Sequence, residues 1–249
     1  TRAKEQWRGA EAQQQSKMKG YTDIHAHFVY GMDDGAQTRE EMCAMLDAAE
    51  ADGIGLLYAT PHVVPGVRPF DWETYERRLR EARAYCGARG YGMELRAGAE
   101  VLYTPALERY AAEQELPELE GTGRVLLEFA PQIAYAEMEA AIAQVERGGY
   151  GVVLAHIERY ECLYPGKNAW ALKERHPVRY QVNCRTVAEN NGGFLRRRKL
   201  ESWIEDGLVD CVASDAHNMG SRPFMMRAAY KALRERFGRM GANELMRAE

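Results

Sequence analysis

Most histidines of this chain follow short apolar runs. The segments YTDIHAH, LLYATPH, GVVLAH and CVASDAH hold five of the six histidines: His25, His27, His62, His156 and His217. Three acids end similar runs, and a fourth lies in the loop after the first run: Glu100, Glu128, Asp215 and Asp34. Neutral imidazole nitrogens and carboxylate oxygens are the ligands that zinc, manganese and iron take in proteins. These residue types in these places predict a metal site.

The spacing of these residues favours one shared site. His25 and His27 lie two positions apart on a predicted strand, so both side chains point the same way. Taken alone, a histidine at a strand end more often makes hydrogen bonds, and Asp34 in D-D-G favours a turn. Nine such side chains buried without cations would leave charges unpaired, at a cost of several kcal/mol each. The joint pattern therefore predicts a multinuclear metal site.

Apolar runs that alternate with stretches of helical period predict repeated β-α units. The predicted strands are 21–25, 55–60, 93–100, 124–129, 151–156, 180–183 and 209–214. The first predicted helix begins at a T-x-x-E capping box formed by Thr38 and Glu41, and the second spans 72–88. The third begins at Thr104-Pro105, and the fourth and fifth span 137–147 and 196–206. The last runs from a Ser221 cap to about 237. The strand ends of a (β/α) barrel meet on one face. A single distorted barrel fits best, with a doubly wound open sheet as the alternative.

Composition limits the other classes of function. The 249 residues carry a net charge of −4, which gives no support for nucleic-acid or membrane-surface binding. No apolar run approaches the ~20 residues that span a bilayer. The polar, Gln-rich residues 1–20 are no secretory signal and are interpreted as an extension, before a barrel domain at 21–249. Five irregularly spaced cysteines favour reduced thiols and a cytoplasmic location.

Some local patterns have ordinary interpretations. His176, in KERHPVRY, lies off any strand end and is expected in a surface loop. The basic run 196–199 is expected on a solvated helix face, with docking of an acidic phosphopeptide as the less favoured interpretation. The residues six positions after the cysteines include no arginine, so the sequence excludes a C-x5-R phosphatase.

The ordered motifs resemble the polymerase-and-histidinol-phosphatase (PHP) superfamily. D-I-H-A-H at 23–27, M-D-D-G-A-Q-T at 32–38 and A-T-P-H at 59–62 carry the resemblance. The sequence is most similar to the bacterial tyrosine-phosphatase branch from capsule and exopolysaccharide operons. That branch continues with G-x-E, L-L-E-F, A-H-x-E-R-Y and A-S-D-A-H-N-x-x-S-R-P, matched here at 98–100, 126–129, 155–160 and 213–223. The resemblance covers about 20–240.

The resemblance implies a distorted (β/α)7 barrel with three divalent ions, manganese first, with iron or zinc as alternatives. It assigns one ion to His25, His27, Glu100 and Asp215. It assigns a second to Glu100, Glu128 and His156, and a third to Asp34, His62 and His217. Arg159 and Arg222 match the phosphate-binding arginines of the family. Three divalent ions against four carboxylates leave about +2, which attracts a phosphate dianion.

The expected function is removal of phosphate from tyrosine in the tail of a bacterial tyrosine kinase that controls polysaccharide synthesis. A phenol leaves readily because its pKa is ~10. Two other functions stay open. The same metals would serve a small phosphomonoester such as histidinol phosphate, or less well a nucleic-acid phosphodiester. A non-catalytic module would bind phosphotyrosine without turnover, although no expected ligand is missing from the sequence.

Overall fold

Parallel strands form the inner wall of the molecule. The computed structural model describes residues 20–189 and 193–247, without the side chains of 193–196. Within this part of the chain the strands are β1 Tyr21–Ala26, β2 Ile54–Ala59, β3 His62–Val63, β4 Glu94–Ala97, β5 Glu100–Leu102, β6 Arg124–Glu128, β7 Gly151–Leu154, β8 Arg179–Asn183 and β9 Cys211–Ala213. Each named pair of neighbouring strands is parallel.

Helices cover the outside of the strands. They are α1 Arg39–Asp52, α2 Trp72–Arg89, α3 Leu107–Ala112, α4 Tyr135–Arg147, α5 Asn168–Arg175, α6 Cys184–Glu189, α7 Gly193–Glu205 and α8 Met226–Leu245. Short 3-10 helices at Ile157–Arg159 and Glu161–Leu163 follow β7. The alternation of strand and helix places consecutive strands side by side, as expected for β-α units.

The strands close into a barrel with seven positions. The sheets run β1-β2-β4 and β3-β5-β6-β7-β8-β9. β2 with β3, and β4 with β5, are successive pieces of two interrupted strands. The last strand returns to the first, because His27 N–H donates to the Ala216 carbonyl and Asp215 N–H donates to the His25 carbonyl, both at 2.8 Å. The expected distorted (β/α)7 barrel is confirmed, and the open-sheet alternative is wrong.

Apolar side chains fill the space inside the barrel and between the strands and the helices. Eight buried residues form the inner group: Ile24, Tyr58, Leu119, Leu126, Val153, Ala155, Cys211 and Ala213. On α1 an apolar stripe is buried, formed by Met42, Met45, Leu46 and Ala49. The predicted capping box at Thr38 is confirmed, since its hydroxyl accepts from Glu41 N–H at 3.2 Å. These contacts hold the strand ends in place.

The tyrosine Tyr75 explains why two strands are interrupted. The predicted strand at 93–100 breaks at Gly98, so it forms β4 and β5. The Tyr75 hydroxyl lies 3.0 Å from the carbonyl oxygens of Ala59 and Gly98 and accepts from Gly98 N–H at 3.0 Å. This buried hydroxyl from α2 takes the place of sheet partners where both strands bend. The unbroken strand of the prediction is therefore wrong.

Two predicted helix starts are also wrong. The Thr104 hydroxyl donates to the Pro65 carbonyl at 2.8 Å, and α3 begins at Leu107 after a turn. Ser221 lies in a loop, and α8 begins at Met226. The cap of α8 comes from Asp52, whose carboxylate accepts from the Met226 and Arg227 amides at 2.6 and 3.2 Å. This acid is far away in sequence. The predicted end near 237 coincides with a non-helical residue at Gly238, after which the helix resumes.

Three other side chains clarify local predictions. His176 lies in the loop after α5, as expected, but its side chain is only 13% exposed and lies 2.7 Å from a Glu146 carboxylate oxygen, so its expected place at the surface is wrong. Trp72, the first residue of α2, is 42% exposed. In the basic run, Arg197 is exposed and pairs with Glu201 at 3.0 Å, as expected of a solvated face.

The remaining expectations concern the cysteines, membrane-spanning helices and the extension at 1–20. All five cysteines are unpaired, and Cys86, Cys184 and Cys211 are buried. Among the helices that the structure describes, none is long and apolar enough to cross a membrane. The predicted extension over 1–20 lies outside the described residues, apart from Gly20.

Replacing Tyr75 with phenylalanine tests the role of the hydroxyl at the two strand breaks. The Tyr75→Phe change leaves buried backbone groups of Ala59 and Gly98 without a partner. We expect it to lower the free energy of unfolding by about 1–3 kcal/mol, measured by urea denaturation.

Tyr91→Phe is the matched control. Its hydroxyl also makes a hydrogen bond, to Asp47 at 2.7 Å, but at the partly exposed end of α2. A surface change of this kind should cost less than about 0.5 kcal/mol. Equal losses for the two variants would contradict a special role for Tyr75.

Candidate metal centre

All nine predicted ligand side chains meet in one connected cluster at the carboxyl ends of the strands. The buried Glu100, at the start of β5, is the common neighbour of four of the imidazoles. One of its carboxylate oxygens lies 3.0 Å from His25 Nε2, 3.3 Å from His27 Nε2 and 3.2 Å from His62 Nδ1. The other lies 3.0 Å from His156 Nε2. Residues distant in sequence therefore meet at a single carboxylate.

The most deeply buried group contains His25, His27, Glu100 and Asp215. The two Nε2 atoms of the histidines lie 3.2 Å apart. Asp215 Oδ1 lies 3.4 Å from His25 Nε2 and 3.7 Å from His27 Nε2. Four donor atoms face one another with no apolar side chain between them. This is the ligand type and number of a four-coordinate metal site.

The second group shares Glu100 and adds Glu128. His156 Nε2 lies 3.3 Å from Glu128, in addition to its contact with Glu100. His62 Nδ1 lies 3.7 Å from the other Glu128 oxygen, and His62, Glu100 and Glu128 also form a compact ligand group. The structure therefore brings both His62 and His156 to this pair of acids.

The third group lies at the open edge and contains His27, Asp34, His62 and His217. Asp34 Oδ1 lies 3.4 Å from Nε2 of His62 and 3.4 Å from Nε2 of His217. The Asp34 side chain is 65% exposed, whereas that of His217 is 1% exposed. A ligand pair with one exposed member lies where a substrate can reach it.

Backbone conformation turns two of these side chains inward. His156 and Asp215 have φ values of 33° and 55°, in the left-handed region that non-glycine residues rarely adopt. Each conformation costs on the order of 1–3 kcal/mol. Hydrogen bonds hold both, because the His156 amide donates to Gln181 and the Asp215 amide donates to the His25 carbonyl, each at 2.8 Å.

Hydrogen bonds set which nitrogen faces the centre in three of the imidazoles. Asp33 lies 2.7 Å from Nδ1 of His27, Gln181 Oε1 lies 3.2 Å from Nδ1 of His25, and the Asp215 carbonyl lies 3.0 Å from Nδ1 of His217. Each acceptor favours a hydrogen on Nδ1 and leaves the lone pair of Nε2 directed at the other ligands. Such partners commonly orient metal-binding histidines.

A short chain of amides supports the same geometry. Gln181 Oε1 accepts from the His156 amide, so its Nε2 is the donor to Asn183 Oδ1 at 2.8 Å. Asn183 Nδ2 then donates to Asp215 Oδ2, also at 2.8 Å. The orientation of each amide is therefore fixed by its neighbours. This chain links His156 to Asp215 through β8.

Sequence reasoning missed Asp33, Gln181 and Asn183. Asp33 also accepts from the amides of His62 and Gly35 at 2.8 and 2.9 Å, so this acid makes the turn contacts expected of Asp34. The available signal for Gln181 and Asn183 was their alternation at the end of a predicted strand that carried no ligand. Nothing in D-D-G by itself says which acid faces inward.

Gly35 lets the D-D-G loop pack against the first strand. A Cβ atom at this position would lie 2.0 Å from the His27 carbonyl oxygen and 2.6 Å from His27 Cβ. Any other residue would therefore push the loop or His27 away. This close approach is what brings Asp33 to His27.

The pKa values of the cluster follow from its excess of negative charge. Burial disfavours the charged form of Glu100, but His25 and hydrogen bonds from His156 and His27 hold its pKa well below the ordinary value. Burial also opposes the charge on His27, yet Asp33 and Glu100 raise its pKa to about 10. The acids thus draw protons onto imidazoles that face each other. Divalent cations would replace those protons, since metals compete with protons for these donors.

The residues fit metal ions better than they fit a hydrogen-bonded cluster. His156 Nδ1 and His217 Nε2 are buried without a hydrogen-bond partner among the described residues. Burial, His27 and Arg222 lower the pKa of His217 to about 3, so this imidazole stays neutral and available as a ligand. A buried donor of this kind facing three other potential ligands is expected at a metal site.

The cavity above the ligands has a volume of about 730 Å³, and both predicted arginines line it. Arg159 Nη2 donates to Asp215 Oδ2 at 2.7 Å, and Arg222 Nη2 donates to Asp215 Oδ1 at 2.8 Å. Apolar residues form part of the wall, among them Val64, Leu102 and Phe129. The cavity is therefore lined by guanidinium groups, by candidate metal ligands and by apolar side chains.

Comparisons with known proteins identify the family of this chain. The family model described as "Capsular polysaccharide synthesis, CpsB/CapC" matches residues 21–249. The chain belongs to the CpsB/CapC family. The tyrosine-protein phosphatase CpsB of Streptococcus pneumoniae is 29% identical over 229 residues, with 90% of this chain and 93% of that protein covered.

Two further comparisons extend the CpsB/CapC assignment. The tyrosine-protein phosphatase CpsB of Streptococcus agalactiae is 26% identical over 235 residues, with 90% of this chain and 93% of that protein covered. A crystal structure from work on Bacillus subtilis YwqE and Streptococcus pneumoniae CpsB, described as unique metal-dependent tyrosine phosphatases, is similar with a TM-score of 0.80. It is 26% identical and covers 90% of both chains.

Replacing Asp33 with asparagine tests the support of the centre in this CpsB/CapC chain. Asparagine has one acceptor oxygen, whereas both Asp33 oxygens accept hydrogen bonds. We expect Asp33→Asn to weaken metal affinity by ~10–100-fold, measured by competition with a chelator.

Asp206→Asn is the matched control, because Asp206 lies at the surface, where its carboxylate accepts a hydrogen bond from Ser202 at 3.1 Å. Its metal affinity should equal that of the wild type. An unchanged affinity in Asp33→Asn would show that His27 is oriented without this carboxylate.

Proposed function

We propose that this protein is a metal-dependent protein-tyrosine phosphatase. The observation that carries the proposal is a cluster of nine imidazole and carboxylate side chains beside a cavity that two arginines line. Phosphate monoester dianions resist attack because nucleophile and target are both rich in electrons. Divalent cations and guanidinium groups lower this barrier because they neutralise the negative charge of the phosphoryl oxygens.

The named relatives support the class of reaction. The similar proteins from streptococci are tyrosine-protein phosphatases, and the similar crystal structure belongs to work on metal-dependent tyrosine phosphatases. By this likeness the substrate is phosphotyrosine in a protein, and the capsule family favours the tail of a bacterial tyrosine kinase as the partner. We further propose a cytoplasmic location and a division into an extension at 1–20 and a barrel at 21–249.

The ligand groups accommodate three divalent ions, with manganese as the first choice and iron or zinc as alternatives. The first set is His25, His27, Glu100 and Asp215, the second is Glu100, Glu128 and His156, and the third is Asp34, His62 and His217. When bound, such ions polarise phosphoryl oxygens and lower the pKa of water. The contacts of His62 with Glu100 and Glu128 support a bridging position between the second and third sets.

Arg159 and Arg222 bind the phosphoryl group in this proposal. Each guanidinium uses one nitrogen on Asp215, and the planar fork has further N–H donors. Both side chains are about one-third exposed, at 38% and 33%, so these donors are accessible from the cavity. They would hold non-bridging oxygens as charge spreads over them in the transition state.

The shape of the cavity suits an aryl phosphate. Phe129, Leu102 and Val64 form an apolar side next to Glu128 and Arg159, where an aromatic ring can leave water. The phenol of tyrosine has a pKa of ~10, so the leaving oxygen needs less help from an acid than an alkoxide would. A cysteine route has no support, because none of the five cysteines lines the cavity.

Metal-dependent turnover is the first test. We expect purified protein to hydrolyse p-nitrophenyl phosphate with manganese and to lose activity when stripped of metal. His156→Ala should lose both bound metal, measured by elemental analysis, and turnover. Full activity in stripped protein, or inactivation only by thiol alkylation, would reject the proposal. Tight binding of phosphotyrosine without turnover would favour the non-catalytic module.

Substrate class is tested on the same preparation. The kcat/KM for phosphotyrosine peptides should exceed that for histidinol phosphate, because the apolar side of the cavity receives an aryl group. The reverse order would keep the metal chemistry and assign a small phosphomonoester.

Arg222→Ala tests phosphate recognition apart from metal binding. We expect kcat/KM to fall by an amount equivalent to about 2–4 kcal/mol, as for removal of other preorganised donors. Metal content should stay that of the wild type. Arg80→Ala, at an exposed position on α2, is the control and should keep full activity. A loss of metal in Arg222→Ala would instead make this residue part of the support of the centre.

A further inference from the structure

A second cavity shares a wall with the metal cavity. It has a volume of about 430 Å³ and lies between the loops that follow β6 and β7 and the helices α6, α7 and α8. Pro131 and Arg159 line both cavities, whereas none of the nine candidate metal ligands lines the second one. A substrate that contacts Arg159 in the metal cavity therefore lies next to this second cavity.

The helix α7 presents one face to the second cavity. Arg197, Leu200, Glu201 and Ile204 line it. These positions have the spacing i, i+3, i+4 and i+7, so their side chains share one side of the helix. Leu200 and Ile204 are buried, whereas Arg197 is exposed. The helix thus gives the cavity an apolar floor and a charged rim.

Other elements continue the apolar surface of the second cavity. Val187 on α6 is buried, and Phe237 on α8 and Tyr164 after β7 are partly buried and pack against the core. Pro131 adds an exposed apolar ring at the shared wall. Concave, mostly apolar cavities of about 300–1,000 Å³ are typical of binding sites.

Charged side chains at the second cavity balance one another. Glu201 Oε1 lies 3.0 Å from Arg197 Nε and 3.1 Å from Arg236 Nη1, so one acid holds both rim arginines. Three carboxylates and three guanidinium groups line the cavity, from Glu158, Glu161, Glu201, Arg159, Arg197 and Arg236. The cavity therefore has no excess of charge for an ionic ligand, and its floor favours a neutral, apolar group.

Backbone hydrogen bonds hold the wall between the two cavities. Glu161 N–H donates to the Pro131 carbonyl at 3.0 Å, which joins the loop after β7 to the loop after β6. Arg159 N–H donates to the His156 carbonyl at 2.9 Å. Arg159 is therefore held next to a metal ligand on one side, while its side chain borders the apolar cavity on the other.

We propose that this second cavity binds an apolar or aromatic side chain of the substrate protein, close in sequence to the phosphotyrosine. The inference rests on the proposed phosphatase function, which places the phosphorylated side chain beside Arg159. In an extended peptide, side chains two positions apart point the same way and lie about 7 Å from each other. A residue within about three positions of the phosphotyrosine can therefore reach the neighbouring cavity.

Phosphotyrosine peptides test this site in the manganese-loaded protein. An alanine-rich host peptide carries one phenylalanine, placed in turn at each of the three positions before and after the phosphotyrosine. We expect one of these positions to raise kcat/KM by about tenfold over the all-alanine peptide, the low end for burial of a large apolar side chain. Glutamate or lysine at the same position should give no such increase, because the charges of the cavity are balanced.

Two variants place the phenylalanine in the second cavity. Phe237→Ala removes part of the apolar wall, and Gln132→Trp narrows the cavity from an exposed lining position. Each should abolish most of the preference for phenylalanine and leave turnover of p-nitrophenyl phosphate unchanged. Because Gln132 lies outside the core, its variant keeps the test valid even if Phe237→Ala fails to fold.

Tyr110→Ala is the matched control, because Tyr110 is also a partly buried aromatic residue packed against the core but lines neither cavity. It should keep the full preference for phenylalanine. An unchanged preference in both Phe237→Ala and Gln132→Trp would overturn the proposal.

The results for the wild type separate this inference from the function on which it rests. Failure to hydrolyse any of the peptides and p-nitrophenyl phosphate would reject the phosphatase function. Hydrolysis of every peptide with equal kcat/KM would keep that function and overturn only the binding site. A preference for glutamate or lysine that equals the preference for phenylalanine would overturn it as well.

Discussion

The arrangement of this protein depends on one electrostatic constraint: carboxylates and imidazoles with inward lone pairs are buried together at the rim of a barrel. Glu100 is the centre of this arrangement, since four imidazoles lie within 3.3 Å of its oxygens. Without cations the acids draw protons onto His27 and His156, whose pKa values rise to about 10 and about 9. Divalent ions resolve the same excess of charge and leave every imidazole neutral.

Hydrogen bonds from the surrounding structure hold the candidate ligand side chains in position. His156 and Asp215 keep left-handed backbone conformations that would relax without Gln181 and the His25 carbonyl. Asp33 joins the D-D-G loop to the first strand and to His62. These hydrogen bonds of the protein itself orient the donors toward one another. This role explains why the supporting side chains are amides and acids rather than apolar residues.

The strand β6 carries opposite charges at its two ends. Its inward positions run from Arg124 through Leu126 to Glu128, and Leu126 belongs to the apolar layer inside the barrel. This layer excludes water, so the charges at the two ends interact through a medium of low dielectric with little screening.

The sequence by itself determined the alternation of strands and helices along the chain and the nine candidate ligands at strand ends and in the following loop, because apolar runs followed by histidine or acid are local patterns. It did not decide which of Asp33 and Asp34 contacts His27, nor reveal that Gln181 contacts His25 and His156. These roles depend on which side chains the fold brings next to each residue. The cap of α8 by Asp52 and the strand breaks at Tyr75 are likewise contacts between distant segments. Only the closed tertiary structure brings those groups within hydrogen-bond distance, because local propensity has no term for partners in other strands, helices or loops.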